Sequence, residues 1–100
     1  MRSVAVGLIG LGVVAVAGPA YGQSPDRLCA SREPAVTVEN CSIVIRAGRG
    51  GPIAQAGFLT NRGQAYVKLR RYDEALRDYN EAVKLLPGDP DGYFLRAVLH

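Results

Sequence analysis

Residues 59–90, LTNRGQAYVKLRRYDEALRDYNEAVKLLPGDP, hold no histidine, cysteine or serine, so this stretch is read through spacing rather than through reactive groups. Ahead of Arg70-Arg71, Leu59, Gly63, Tyr66 and either Val67 or Leu69 recur three or four apart, and Ile53 and Ala56 extend the pattern back to Pro52. Behind it, Tyr72, Ala75, Leu76, Tyr79, Ala82, Val83 and Leu86 do the same. The spacing predicts amphipathic helices over residues 52–69 and 72–86. The short basic turn between them forces an antiparallel helical hairpin. Pro87-Gly88-Asp89-Pro90 then stops the helix, and a further helix is expected over residues 91–100.

Charges follow the same logic. Asp73 and Glu74 in the first turn and Lys84 in the last complement the dipole of the 72–86 helix. Arg77 stands four residues from both Asp73 and Glu81 and is expected to pair with them on a solvated face. These carboxylates do not form a catalytic set.

The whole chain has 100 residues, 48% of them apolar, with twelve Lys and Arg against nine Asp and Glu. That suits one small globular domain with a core, and the positive balance is too mild and too scattered to indicate a nucleic-acid partner. The apolar residues concentrate at the start. MRSVAVGLIGLGVVAVAGPA carries one Arg and then an uncharged run, followed by the small-x-small triplet Ala20-Tyr21-Gly22. This has the form of a secretory signal peptide, residues 1–22, cut after Gly22, or after Ala20 as the near alternative. The other reading is a retained anchor. The apolar run falls short of the ~20 residues a spanning helix needs and contains four glycines. Cleavage leaves no stable membrane span. Because only Arg2 is lost, the net charge drops from +3 to +2.

Export places the chain in the periplasm or outside the cell, where Cys29 and Cys41 are expected to form a disulfide. In the chain-entropy view, closing that short loop stabilises the fold by ~3 kcal/mol. The spacing is not that of a C-x-x-C redox pair, and the one histidine, His100, is far from either cysteine. Residues 23–51 read as a degenerate N-terminal unit. Pro34 suits a first helical turn, Glu33 the positive helix end and Gly48 a stop. Val38, Cys41 and Ile45 then share a face, although the β-branched Val36, Thr37, Val38, Ile43, Val44 and Ile45 pull toward strand. Residues 47–51, AGRGG, form a linker. They lack the lysine and hydroxyl residue of a phosphate-binding loop.

Leu59-x-x-Arg62-Gly63-x-x-Tyr66, then Ala75-x-x-x-Tyr79-x-x-Ala82, then Pro87, resembles the tetratricopeptide repeat, a helix-turn-helix unit of about 34 residues. The full repeat spans residues 56–89, and residues 90–100 form the first helix of a further one within a repeat region of residues 52–100. The fold implied is all-α: antiparallel helical hairpins, a fragment of an α-solenoid, behind a cleavable signal peptide. The chain is similar to small exported bacterial proteins of this kind. The resemblance gives Leu59, Gly63, Tyr66, Ala75, Tyr79, Ala82 and Pro87 packing roles. Gly63 and Ala75 are small where the helices cross. It departs from the family at Leu59 (often Trp), Arg62 (Leu), Tyr79 (Phe) and Arg70, where Gly often makes the turn.

In this family the first helix of each pair lines a concave wall that takes peptides or partner proteins. Carried over, that wall comprises Gly57, Thr60, Asn61, Gln64 and Lys68. Asn61 reads equally as a peptide-binding amide or as a helix-surface residue. The Lys and Asn clamp that grips a carboxylate in other members is replaced at Thr60 and Gln64. The resemblance implies a non-enzymatic protein-interaction module with no cofactor or metal. The other reading is a structural or assembly subunit, or a truncated fragment. Its apolar last helix (Tyr93, Phe94, Leu95, Val98, Leu99) would dock on a partner or a second copy, giving a homo-oligomer.

Overall fold

Among the described helices, four begin on proline, whose fixed φ suits the first turn and whose missing N–H is not needed there. The computed structural model describes residues 24–99; residues 1–22, read from the sequence as a signal peptide, Gln23 and His100 lie outside them. The helices are α1 (Pro25–Leu28), α2 (Pro34–Arg46), α3 (Pro52–Lys68), α4 (Tyr72–Leu85) and α5 (Pro90–Leu99). No strand occurs among the described residues. None of their helices is long and apolar enough to cross a membrane. Over residues 33–48 the helical reading prevails against the β-branched pull, and Ser24 caps α1 through its side chain.

Two helices end in the same way. After α2, Gly48 takes φ 66°, its N–H donates to the Ile45 carbonyl, and the Arg49 N–H donates to the Val44 carbonyl. After α3, the Arg70 and Arg71 N–H groups donate to the Val67 and Tyr66 carbonyls in the same register. Both are Schellman closures. The second puts an arginine at φ 61°, in the left-handed region where a Cβ is disfavoured.

Each helix packs chiefly on its neighbour in sequence, α1 on α2, α2 on α3, α3 on α4 and α4 on α5. Among the described residues there is consequently no single large core. One cluster joins Cys29, Cys41 and Val44, a second joins Ala56, Leu59 and Ala82, and the partly buried Ile45 touches both. Cys29 and Cys41 are bridged and fully buried, which ties α1 to the middle of α2.

Three packing expectations are corrected. The buried face of α2 runs through Thr37, Asn40, Cys41 and Val44, with Val38 and Ile45 at its edges. The bridge turns Cys41 toward α1, and the two polar residues carried inward are satisfied: Thr37 Oγ1 donates to the Ser31 carbonyl at 2.9 Å and Asn40 Nδ2 to the Val36 carbonyl at 2.9 Å. Ile53 is 77% exposed and lines the hollow beside the start of α5 instead of a core. Ala65, not assigned to the core by spacing, is buried instead. On α4, Glu81 pairs with Lys84 rather than with Arg77, no ion pair joins Asp73 to Arg77 among the described residues, and Glu74 pairs with Arg71.

A candidate peptide groove on the concave face

The site depends on the crossing of α3 and α4. At Gly63 an added Cβ would lie 2.4 Å from Tyr79 Cε1 and 2.8 Å from Cδ1, so hydrogen alone fits at this point. Ala75 is fully buried, and Ala82 packs with Leu59 and Ala56. Tyr66 is half-buried, with the guanidiniums of Arg62 and Arg71 at 5.8 and 4.9 Å from its ring centre. Pro87 is exposed just past the end of α4.

Beside this crossing lies an ion pair that spacing did not reveal. Arg62 Nε and Nη2 donate to Asp78 Oδ2 and Oδ1, both at 2.7 Å, and Nη1 donates to Ser42 Oγ on α2 at 2.9 Å. One guanidinium thus ties three helices together. Asp78 is only 4% exposed. The hydrogen bonds that Arg62 donates to Asp78 raise its pKa against the opposing effect of burial. A signal was available: Arg62 and Asp78 immediately precede Gly63 and Tyr79, so opposite charges flank a contact already assigned. Burial also raises the Tyr79 phenol pKa, keeping it neutral within the crossing.

With α4 fixed this way, α5 packs through Gly92, where an added Cβ would stand 3.0 Å from Val83 Cγ2. Asp89 Oδ1 accepts from the Asp91 N–H at 3.0 Å and caps the helix. Arg96 Nη1 donates to Asn80 Oδ1 at 3.2 Å while its guanidinium lies over Tyr93. The faces of α3 and α5 then border a groove of about 440 Å³, with Gly57, Thr60 and Gln64 on one side, Phe94 and Leu95 on the other, and Ala82 and Leu86 between. It continues into a second hollow of about 290 Å³ at Lys68, Val98 and Leu99, sharing Gln64 and Leu95 with the first.

The four residues carried over as partner-binding do not face one space. Thr60 lines the α3–α5 groove, and its hydroxyl donates to the Gly57 carbonyl at 3.0 Å. Asn61 lines a smaller hollow of about 150 Å³ against the bridged N-terminal unit, with Arg32 and Thr37. Gln64 borders all three hollows, and Lys68 borders the second and third. In the apolar part of the wall Ile53, Phe94 and Val98 are 77%, 67% and 65% exposed; Phe94 and Val98 belong to the last helix, read from the sequence as an apolar docking face, whereas spacing puts Ile53 on a buried one.

Residues 56–89 match the family model described as tetratricopeptide repeat. The match supports the tetratricopeptide repeat family for the α3–α4 hairpin, the segment whose crossing has just been described. No curated protein and no solved structure matches the chain. Repeats of this family generally mediate protein–protein interaction and are generally not enzymes.

Proposed function

We propose that this chain is an exported, non-enzymatic module that binds a protein or peptide on the concave face between α3 and α5. The observation that carries the reading is the wall itself. Large apolar side chains stand exposed on both sides of a groove whose floor is small and apolar, with the amide of Gln64 midway along it. Exposed apolar surface gathered in a groove marks a binding site more often than a scattered surface residue does. Thr60, Gln64 and Lys68 contribute polar contacts to this partner, and Asn61 serves the neighbouring hollow. The disulfide and the signal-peptide form of residues 1–22 support action in the periplasm or outside the cell.

Two measurements test this. The mass of the exported protein is expected to correspond to a chain starting at Gln23, or at Tyr21 for the earlier cut; an uncleaved mass overturns export by cleavage. In a pull-down from that compartment, Gln64→Ala and Lys68→Ala are expected to lose the partners of the wild type. Arg77→Ala, on the far side of the hairpin, is expected to keep them. Equal capture by all three variants overturns the concave-face reading.

A second reading is an assembly subunit whose α5 docks on another copy, favoured by the exposure of Tyr93, Phe94 and Val98. Light scattering separates the two, because a monomer at high concentration removes self-docking.

A further inference from the structure

The attachment of α1 depends almost wholly on one bond. No residue of α1 is buried, and among the described residues the one side-chain bond from it to the chain beyond is the exposed pair of Asp26 with Arg49. Four residues make a single helical turn, which does not stand alone in water. By contrast, α2 is anchored independently: Ser42 Oγ accepts from Arg62 and the Val44 carbonyl accepts from Gln55 Nε2, both donors lying on α3. The loop at Ser31 is tied to α2 through the Thr37 hydroxyl. Opening the Cys29–Cys41 bridge therefore frees residues 24–30, hinged at Ser31, and leaves the rest in place. It uncovers Cys41 and Val44, both fully buried in the bridged chain, and removes one side of the hollow of about 150 Å³ that Cys29 and Ala30 border against α3.

The same hollow offers a route to the bridge. Its charged lining is Arg32 and Lys68; no acidic side chain lines it, and neither cation has an ion-pair partner among the described residues. Positive charge so placed attracts an attacking thiolate and stabilises the thiolate that leaves. Cys29 is fully buried, so attack requires Pro25–Leu28 to lift. These residues precede Cys29 and, with none of them buried, fray while the bridge stays closed.

We infer that the Cys29–Cys41 bridge is a redox switch, opened by a dithiol reductant whose thiolate enters beside Arg32 and Lys68, and that its opening releases residues 24–30 from α2. The thiolate bonds to Cys29 Sγ as the bond to Cys41 breaks, and Cys41 leaves as a thiolate that takes up a proton. The second thiol of the reductant then attacks its own first sulfur, freeing Cys29. The dithiol departs as a disulfide, having supplied two electrons and two protons. Here the bridge is the substrate of exchange, so the C-x-x-C spacing that suits a catalyst is not required. The switch lies in the N-terminal unit and stands or falls apart from the partner-binding reading.

The test is the rate at which small thiols open the bridge in the folded, exported protein, read by mass after acid quench and expressed per thiolate. The anionic 2-mercaptoethanesulfonate is expected to react about two- to fivefold faster than the cationic cysteamine, with the difference shrinking in high salt. In the double variant Arg32→Glu with Lys68→Glu the preference is expected to reverse, an outcome that loss of fold cannot imitate. After complete reduction by dithiothreitol, the helical circular dichroism is expected to persist while Cys41 reacts with iodoacetamide at a rate close to that of an exposed thiol.

Opening that rises with urea as steeply as global unfolding, at equal rates for both thiols, makes the bridge a static staple and overturns the inference. Opening in the folded state without a charge preference overturns the route beside Arg32 and Lys68, and with it the inference. A reduced protein that keeps Cys41 unreactive has α1 still docked, and one that loses its helical signal has unfolded as a whole; either result overturns the switch.

Discussion

The α3–α4 hairpin and the α1–α2 unit solve the same problem by different means. Both are short helix pairs with too few large apolar residues to hold themselves together. In the hairpin the solution is shape, a glycine under an aromatic ring, alanines at the contacts and one bidentate ion pair. In the N-terminal unit it is a covalent bond, and among the described residues the only other buried ones there are Val44, Thr37 and Asn40. A four-residue α1 with no buried residue of its own cannot dock by packing. Non-covalent fit therefore suits the hairpin, which packs on both α2 and α5, and the cross-link suits the unit whose described packing is on α3.

This contrast is tested hardest at the crossing. Gly63→Leu or Ala75→Leu is expected to cost more than about 3 kcal/mol and to abolish cooperative unfolding, because Tyr79 is buried and its ring has nowhere to turn. Thermal unfolding followed by circular dichroism measures it. A melting temperature equal to the wild type's would place the support of the hairpin elsewhere. Replacing Cys29 and Cys41 together with serine is expected to cost ~3 kcal/mol. Here the loss should be regional: hydrogen exchange is expected to rise across α1 and α2 while α3 and α4 keep most of their protection. Uniform loss of protection would mean that the bridge supports the hairpin as well.

How much of this was readable beforehand differs between the two regions for the same reason. In the hairpin, residues meet their partners through a fixed offset: Gly63 is sixteen residues before Tyr79, as Arg62 is before Asp78. Local period and turn length therefore locate the contacts, and the helices, the hairpin and the small residues at the crossing follow. In α2 the face is set by a partner outside the helix. The bridge turns Cys41, with Thr37 and Asn40, toward α1, and apolar spacing chose Val38 and Ile45 instead. The groove was half-legible. Its α3 wall followed from the family resemblance and its α5 wall from the apolar last helix, but Ile53 did not, because a hydrophobic period alone assigns it to a buried face.

The ion pair sharpens the comparison at a smaller scale, since it links the regions. Asp78→Asn keeps the volume but removes the charge opposite Arg62, whose side chain is 19% exposed. A hydrogen-bonded charge at that depth is worth about 2 kcal/mol. Chemical denaturation is expected to show a loss of that size. The Arg62 guanidinium, still held by Ser42 Oγ, then becomes more mobile between α2 and α4. A loss no larger than a few tenths of a kcal/mol would be that of an exposed pair and would make the crossing a matter of shape alone.

The smallest effect has the opposite sign. Gly48 and Arg70 hold the same position in the same closure, φ 66° and 61°, one in the cross-linked half and one in the repeat. For arginine the left-handed conformation costs about 1–2 kcal/mol. Glycine removes that cost but brings a more flexible unfolded chain that offsets part of the gain. Arg70→Gly is therefore expected to stabilise by about 0.5 kcal/mol, read as a rise in denaturation midpoint at unchanged slope. The substitution leaves the Arg70 and Arg71 N–H donors in place and does not touch the Arg71–Glu74 pair, so backbone strain is the quantity measured. A fall in stability would instead mean that the Arg70 side chain supports the turn, making the two closures alike in geometry and different in what holds them.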